Sequence, residues 1–278
     1  MRDLLTQAEA TLAQAGVASP AYDARALASH ILKCQPLDLG FLSSVPEDFA
    51  QDFSLLVARR ALREPLQYII GTAAFGSLDL AVGPGVFIPR PETEAMAQWA
   101  VEHAQEMLKE RKAPRIADLC TGSGAIAGYI ATSLGRHAQV FAVEISAAAL
   151  AYTKKNLAPF DNVEIIAGDA CDPRIVPKDL DMILTNPPYV PETPTLEPEV
   201  YADPPQAVFA GESGMEIINK LVTTIVSNLR PGGLIAIEHD DTTQDEVITL
   251  LATHGFENIC GHLDAAAKPR FVTAKSKL

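Results

Sequence analysis

The segment Thr185-Asn186-Pro187-Pro188-Tyr189 follows the apolar stretch Met182-Ile183-Leu184. Two successive prolines remove two backbone donors and stiffen the chain, so carbonyl oxygens are left to face whatever sits above the strand end. Asn186 adds a side-chain oxygen acceptor and Tyr189 a flat aromatic face. Such a set suits a planar amino group: two acceptors hold its two hydrogens and a ring packs on its plane. As a bare tetrapeptide, the same residues also read as a rigid proline turn beside a buried tyrosine. Their neighbours decide between the two.

Upstream lies Ile116-Ala117-Asp118-Leu119-Cys120-Thr121-Gly122-Ser123-Gly124-Ala125. A strand ends, glycines turn the chain and a helix begins, which opens a ligand pocket at the carboxyl edge of that strand. Gly-x-Gly by itself serves NAD, a flavin or S-adenosylmethionine. Val140-Phe141-Ala142-Val143 ends on Glu144 about twenty residues later, where an acid accepts hydrogen bonds from both ribose hydroxyls of an adenosine. Asp169, in Gly168-Asp169-Ala170, closes a third strand where an adenine edge is read.

These residues need a sheet to bring their strand ends together. Helix 91–110 precedes strand 115–119, helix 124–134 precedes strand 139–143, and helix 146–157 precedes strands 163–166 and 181–184. A Pro-rich loop over 187–205 leads to helix 214–229, strand 233–238, helix 242–254 and last strands near 257–262 and 270–274. Strands separated by helices predict an α/β fold with a doubly wound, mostly parallel Rossmann-like sheet. Before it, residues 1–71 carry helical spacing without strand alternation and predict a small helical bundle. Residues 72–88 are expected to form a linking β-hairpin, with Gly83-Pro84-Gly85 as its turn and Val86-Phe87-Ile88 beyond it. The catalytic domain is then 89–278.

The chain has 278 residues and a formal net charge of −13, from 22 Lys and Arg against 35 Asp and Glu. That balance disfavours stable nucleic-acid binding, which needs clustered cations at the phosphates. No stretch approaches the roughly 20 apolar residues of a membrane helix, and Met1-Arg2-Asp3-Leu4 does not begin a signal peptide. Cys34, Cys120, Cys171 and Cys260 are widely spaced, so neither zinc nor a disulfide framework is expected. The reading is a cytoplasmic monomer that holds no metal and acts on a small molecule or a basic protein.

The order of the motifs resembles the class I S-adenosylmethionine-dependent methyltransferases that act on amino groups conjugated to a planar system. Gly85-Val86-Phe87-Ile88-Pro89-Arg90-Pro91-Glu92-Thr93-Glu94, with Glu64-Pro65-Leu66-Gln67-Tyr68-Ile69-Ile70-Gly71, narrows the likeness to the HemK/PrmC family of release-factor glutamine methyltransferases. The resemblance spans nearly the whole chain. It implies transfer of a methyl group from S-adenosyl-L-methionine to the side-chain amide nitrogen of the Gln in the Gly-Gly-Gln loop of peptide chain release factors. It gives Asn186 and the Pro187 carbonyl the amide hydrogens to hold, with Pro188 and Tyr189 completing the substrate contact. It implies a cofactor pocket from Cys120, Thr121, Gly122, Ser123, Gly124, Glu144, Asp169, Ala170 and Asn186, closed at the methionine end by Arg90, Thr93 and Glu94. His239 and His254 are expected to be structural.

One alternative keeps the chemistry and changes the substrate to an exocyclic amine of adenine or guanine in DNA or RNA. Another is a silent binding protein with a vestigial site. Four positions depart from the family pattern. Cys120 replaces a frequent glycine, which a negative φ would tolerate, and Ala170 replaces bulkier residues. Tyr201-Ala202-Asp203-Pro204 lacks the usual aromatic before the acid, and Glu238-His239-Asp240-Asp241 replaces a Glu-x-Gly. Glu192, Glu197, Glu199, Asp203, Glu212 and Glu216 run without an intervening Lys or Arg, and some of them are expected to rim the site and attract a basic partner.

Overall fold

A computed structural model of the chain describes residues 1–42, 44–110, 113–192 and 196–277. The chain divides into two compact units, Met1–Thr72 with Leu196–Ala202, and Ala73–Thr195 with Asp203–Leu278.

In the first unit, α1 (Arg2–Gln14), α2 (Pro20–Leu32) and α3 (Phe49–Ala61) are followed by the short α4 (Leu66–Ile70). Pro20 occupies the first turn of α2, where its missing N–H is no loss. Leu12, Leu27, Phe49 and Phe53 meet in one apolar core, and the last two rings stack at 5.4 Å. Their spacing along each helix is what the sequence pattern requires of a face turned inward. Buried beside this core, Arg60 Nε donates to Asp23 Oδ2 at 2.7 Å. The segment 196–202 forms a 3-10 turn over Pro198–Ala202. Glu199 there accepts from Arg60 Nη2 at 2.8 Å and from Arg63 Nε at 2.7 Å.

The second unit holds β1 (Thr72–Phe75, entering from the first) and β2 (Leu78–Ala81), a two-stranded ladder, and a seven-stranded sheet. The hairpin turn is Gly76-Ser77, not the expected Gly83-Pro84-Gly85, and Val86–Ile88 is not a strand. Gly76 has φ +57°, which a two-residue turn needs at its first central position. Ile88 instead gives its N–H to the Asp203 carboxylate at 3.1 Å, so it has no ladder to join.

After β2 come α5 (Glu94–Lys109), β3 (Arg115–Leu119), α6 (Ala125–Leu134), β4 (Gln139–Glu144), α7 (Ala147–Leu157), β5 (Val163–Ala167) and β6 (Leu180–Thr185). Then follow α8 (Pro205–Val208), α9 (Glu216–Asn228), β7 (Leu229–Glu238), α10 (Gln244–Thr253), β8 (Phe256–Leu263) and β9 (Pro269–Ser276). The sheet order is β5-β4-β3-β6-β7-β9-β8, parallel except for β9, which is antiparallel to both neighbours. Alternate residues serve opposite faces: Ile116, Val140 and Met182 enter a core with α5 and α6, whereas Ala117, Phe141 and Ile183 enter a core with α9 and α10. Burial on both faces explains why residues 140–143 and 182–184 read as unbroken apolar runs.

Chain order reverses between β3 and β6, which pair from Ile116↔Met182 to Leu119↔Thr185. In such sheets the crevice at the carboxyl ends beside this reversal takes the ligand. The glycine turn leaves β3 and the Asn-Pro-Pro-Tyr segment leaves β6 at this place. Among the described residues, no helix is long and apolar enough to cross a membrane.

Candidate active site

A cavity of about 330 Å³ opens at this edge. Cys120, Thr121, Gly122, Ser123, Glu144, Asp169, Ala170, Asn186, Pro188 and Thr93 line it. Four further expected residues, Gly124, Pro187, Tyr189 and Glu94, are not among its lining, and neither is Arg90.

The glycine turn is held from three sides. From the end of β3, Asp118 Oδ2 accepts the Thr121 hydroxyl at 2.5 Å and the Ala127 N–H at 3.0 Å. Complete burial pushes the Asp118 carboxyl up to about 7, against those two hydrogen bonds. From α7, Thr153 Oγ1 donates to the Gly122 carbonyl at 2.7 Å and Asn156 Nδ2 to the Ser123 carbonyl at 2.8 Å. From β4, Glu144 Oε2 accepts the Gly122 N–H at 2.8 Å, and its Oε1 accepts the Ser146 N–H at 2.7 Å. Gly122 has φ +57° and open space where a Cβ would stand, so its backbone is a cradle that a side chain would fill.

Thr153 and Asn156 escaped the sequence reading. The available signal was a Thr at 153 between Ala149 and Leu157 on the buried stripe of α7, where an apolar residue belongs.

Cys120 corrects an expectation. Its φ is +61°, not negative, a conformation that costs a non-glycine residue on the order of 1 kcal/mol. The turn itself imposes it, because Thr121 N–H must reach the Val143 carbonyl at 3.0 Å. Burial, more than the nearby Glu144, raises the Cys120 thiol far above its usual range, and burial also raises Cys171 to about 11. Neither thiol is poised as a nucleophile.

At the end of β6, Asn186 Nδ2 donates to the buried Thr93 Oγ1 at 3.1 Å. That leaves Oδ1 as the acceptor the amide presents. Tyr189 donates its hydroxyl to Glu238 Oε1 at 3.0 Å, and burial raises its phenol well above the ordinary value. Gly214 packs under this segment. With φ +79°, a Cβ there would stand 2.3 Å from the Tyr189 carbonyl oxygen.

Asp203 anchors the opposite wall. Its side chain is fully buried and accepts Arg90 Nη2 at 2.5 Å as well as the Ile88 N–H. Arg90 lies over the Phe87 ring at 5.0 Å. Arg90 is therefore tied to the wall rather than facing the cavity.

Most of the acidic run is engaged within the fold. Glu197 and Glu199 pair with Arg63, and Glu199 also with Arg60. Burial works to raise Glu199, but hydrogen bonds from Arg63 and Arg60 outweigh it and hold the carboxyl down at about 2. Asp203 is taken by Arg90, and Glu216 Oε1 accepts the Glu212 and Ser213 N–H groups. Four of the six charges thus have partners within the fold. A gap of 134 residues or more separates Arg63 from its two acids, so the sequence run looked unpaired.

Comparison with known proteins agrees with this geometry. Residues 3–71 match the family described as PrmC N-terminal domain, and residues 100–200 the one described as Methyltransferase small domain. The fold is shared with a methyltransferase from Pyrococcus furiosus, at TM-score 0.52 and 17% identity over 74% of this chain and 92% of that one. It is shared also with the hMettl16 catalytic domain, at TM-score 0.55 and 17% identity over 80% of this chain and 82% of that one. Release factor glutamine methyltransferases from Corynebacterium glutamicum (48% identical, 98% of both chains) and Mycolicibacterium smegmatis (44% identical, 99% of this chain and 97% of that one) match end to end. That of Mycobacterium tuberculosis is 41% identical over 99% of this chain and 91% of its own. With a pocket at the sheet reversal, the Asn-Pro-Pro-Tyr segment at its edge and relatives matching over their full length, this chain is an enzyme of the release factor glutamine methyltransferase family.

Proposed function

We propose that the chain methylates the side-chain amide nitrogen of the glutamine in the Gly-Gly-Gln loop of peptide chain release factors, with S-adenosylmethionine as donor. The single observation that carries the choice of an amide is Asn186. It stands on the cavity with Nδ2 engaged by Thr93 and Oδ1 left to accept.

The pocket fits the cofactor. Its volume is within the range of small-molecule sites. Glu144 keeps lone pairs for ribose hydroxyls after serving two backbone donors, and the bare Gly122 backbone leaves room beside it. Asp169 uses Oδ1 on the Cys171 N–H at 2.8 Å and keeps Oδ2 for the adenine edge. Thr93 lines the methionine end. S-adenosylmethionine, when bound, supplies an electrophilic methyl group and a neutral thioether as leaving group.

An amide nitrogen is a poor nucleophile because its lone pair is delocalised into the carbonyl. Asn186 Oδ1 and the Pro187 carbonyl each accept one amide hydrogen, which fixes the nitrogen and aims its lone pair along the line of displacement. The Tyr189 ring bounds the amide plane. The nitrogen gains the methyl group and gives up one hydrogen as a proton to solvent. The helical residues 1–71 recognise the body of the release factor, and Ile145, 66% exposed at the mouth of the cavity, adds an apolar contact.

Incubation with methyl-labelled cofactor and a release factor, its Gly-Gly-Ala variant, or RNA and DNA tests the reading. Label is expected in the release factor alone and lost with the glutamine. Label in nucleic acid alone overturns it. Asn186→Ala should bind the cofactor normally and lose turnover.

A further inference from the structure

Two walls of the cavity come from separate parts of the chain: Gly85 and Phe87 line one, Gly122 and Ser123 the other. Both walls are held by α7. Ala148, Tyr152 and Asn156 stand about one turn apart along one face of that helix, and the chain leaving β2 meets them at every second residue. A Cβ on Gly85 would stand 3.0 Å from the Ala148 Cβ, and one on Gly83 only 2.5 Å from the Tyr152 hydroxyl. The third meeting is polar. Asn156 Oδ1 accepts the N–H of Ala81, the last residue of β2, at 2.8 Å, and Nδ2 donates to the Ala81 carbonyl at 3.0 Å. The same Nδ2 donates to the Ser123 carbonyl at 2.8 Å, on the other wall.

We propose that Asn156 is a positioning residue for the cofactor, its one side-chain amide setting the two walls of the cavity against each other. The three backbone groups it serves are one donor and two acceptors. A primary amide offers one acceptor oxygen and two N–H donors in a single plane, so it satisfies all three in one orientation. Turned over, it would set –NH₂ against the Ala81 N–H and an oxygen against two carbonyls. Thr153, on the preceding turn of α7, takes the Gly122 carbonyl, so the helix grips two successive carbonyls of the glycine turn. With Ala81 fixed as well, Gly85 and Phe87 lie only four and six residues further along. Asn156 does not itself line the cavity and acts through these residues. This inference rests on the reading of the cavity as the S-adenosylmethionine site.

Without that amide the two walls hold their spacing only part of the time, and a ligand that touches both binds more weakly by that fraction. The loss falls on cofactor affinity more than on the chemical step, because Asn186, past the end of β6, is held separately by Thr93.

The test is titration calorimetry with S-adenosylhomocysteine, and kcat and KM for the cofactor with release factor as substrate, for wild type, Asn156→Ala and Asn156→Asp, each well below its own unfolding temperature. Asn156→Ala should raise the Kd and the cofactor KM about 10- to 100-fold, with kcat at saturating cofactor and the KM for release factor far less affected. Asn156→Asp has the same size but, ionised, turns acceptors to both carbonyls, so it should bind no better than Asn156→Ala. Wild-type Kd in a folded Asn156→Ala would overturn the proposal, as would Asn156→Asp binding like wild type, which would make the residue a matter of packing alone. A fall in kcat with the cofactor Kd unchanged would overturn it too. If the Asn156 variants do not fold, Gly83→Ala serves instead: its methyl group meets the Tyr152 hydroxyl and should lift the wall from α7, weakening the cofactor, and adding Tyr152→Phe should recover most of the loss. Wild-type Kd in Gly83→Ala then overturns the proposal. A wild type that does not bind S-adenosylhomocysteine would sink the cofactor reading as well, whereas tight binding by wild type and variants alike would sink this inference alone.

Discussion

Replacing Glu144 by glutamine asks whether one carboxylate serves both the turn and the cofactor. Its two oxygens already accept the Gly122 and Ser146 N–H groups, at 2.8 and 2.7 Å. A carboxylate has about four lone-pair sites, so roughly one on each oxygen remains for a ribose hydroxyl. Glutamine in the same place keeps one oxygen and turns an –NH₂ towards the other backbone N–H, donor against donor. The buried donor left unsatisfied costs about 1–3 kcal/mol, and the surviving bond falls from charged to neutral strength, about 1 kcal/mol more. Glu144→Gln should therefore destabilise the ligand-free protein by about 2–4 kcal/mol in urea unfolding. On the ligand side, one ribose hydroxyl loses its charged acceptor, worth about 1.5–3 kcal/mol. Titration calorimetry with S-adenosylhomocysteine should then show affinity about 10- to 150-fold weaker. An unchanged affinity with the stability loss intact would confine Glu144 to the turn and refute its ribose role. Unchanged stability would refute the staple.

Three further outcomes are expected. Gly214→Ala places a methyl group against the Tyr189 carbonyl in a left-handed backbone, so it should cost about 1–3 kcal/mol in thermal or urea unfolding and lower kcat more than cofactor affinity; wild-type kcat would contradict this. Arg60→Leu strands the buried Asp23 and should destabilise the protein by about 3–5 kcal/mol, with much of the loss recovered in the Asp23→Leu, Arg60→Leu double variant; simple additivity would refute the coupling. Burial raises both Asp118 and Glu238 to about 7, so between the ordinary carboxylate range and that value the folded chain holds protons that the unfolded chain has released. Stability should fall as pH rises through that window, and Asp118→Asn should flatten the slope; an unaltered slope would count against the raised value.

The layout of the second unit was legible in the sequence because it rests on local pattern. Runs such as 140–143 and 182–184 are apolar throughout since both faces are covered, and helices between parallel strands leave few topologies. The same rule places the Cys120–Gly124 turn and Asn186 at neighbouring strand ends, which is why the cavity was expected where it lies. The hairpin was misplaced by several residues because Gly76-Ser77 and Gly83-Pro84-Gly85 are both turn sequences, and the Asp203 carboxylate, far along the chain, decided between them.

Partnerships between distant side chains were decided in three dimensions. By itself the sequence determined the sheet, its ligand edge and the residue types delivered there, since hydrophobic period and glycine turns act over a few neighbouring residues. The tertiary structure alone decided that Glu197 and Glu199 answer Arg60 and Arg63 rather than a partner, and that Cys120 has positive φ. It also decided that Thr93 stands against Asn186 and Tyr189 against Glu238, 93 and 49 residues apart. A charge or hydrogen bond acts over a few ångströms, and only the closed fold sets which atoms come within that reach.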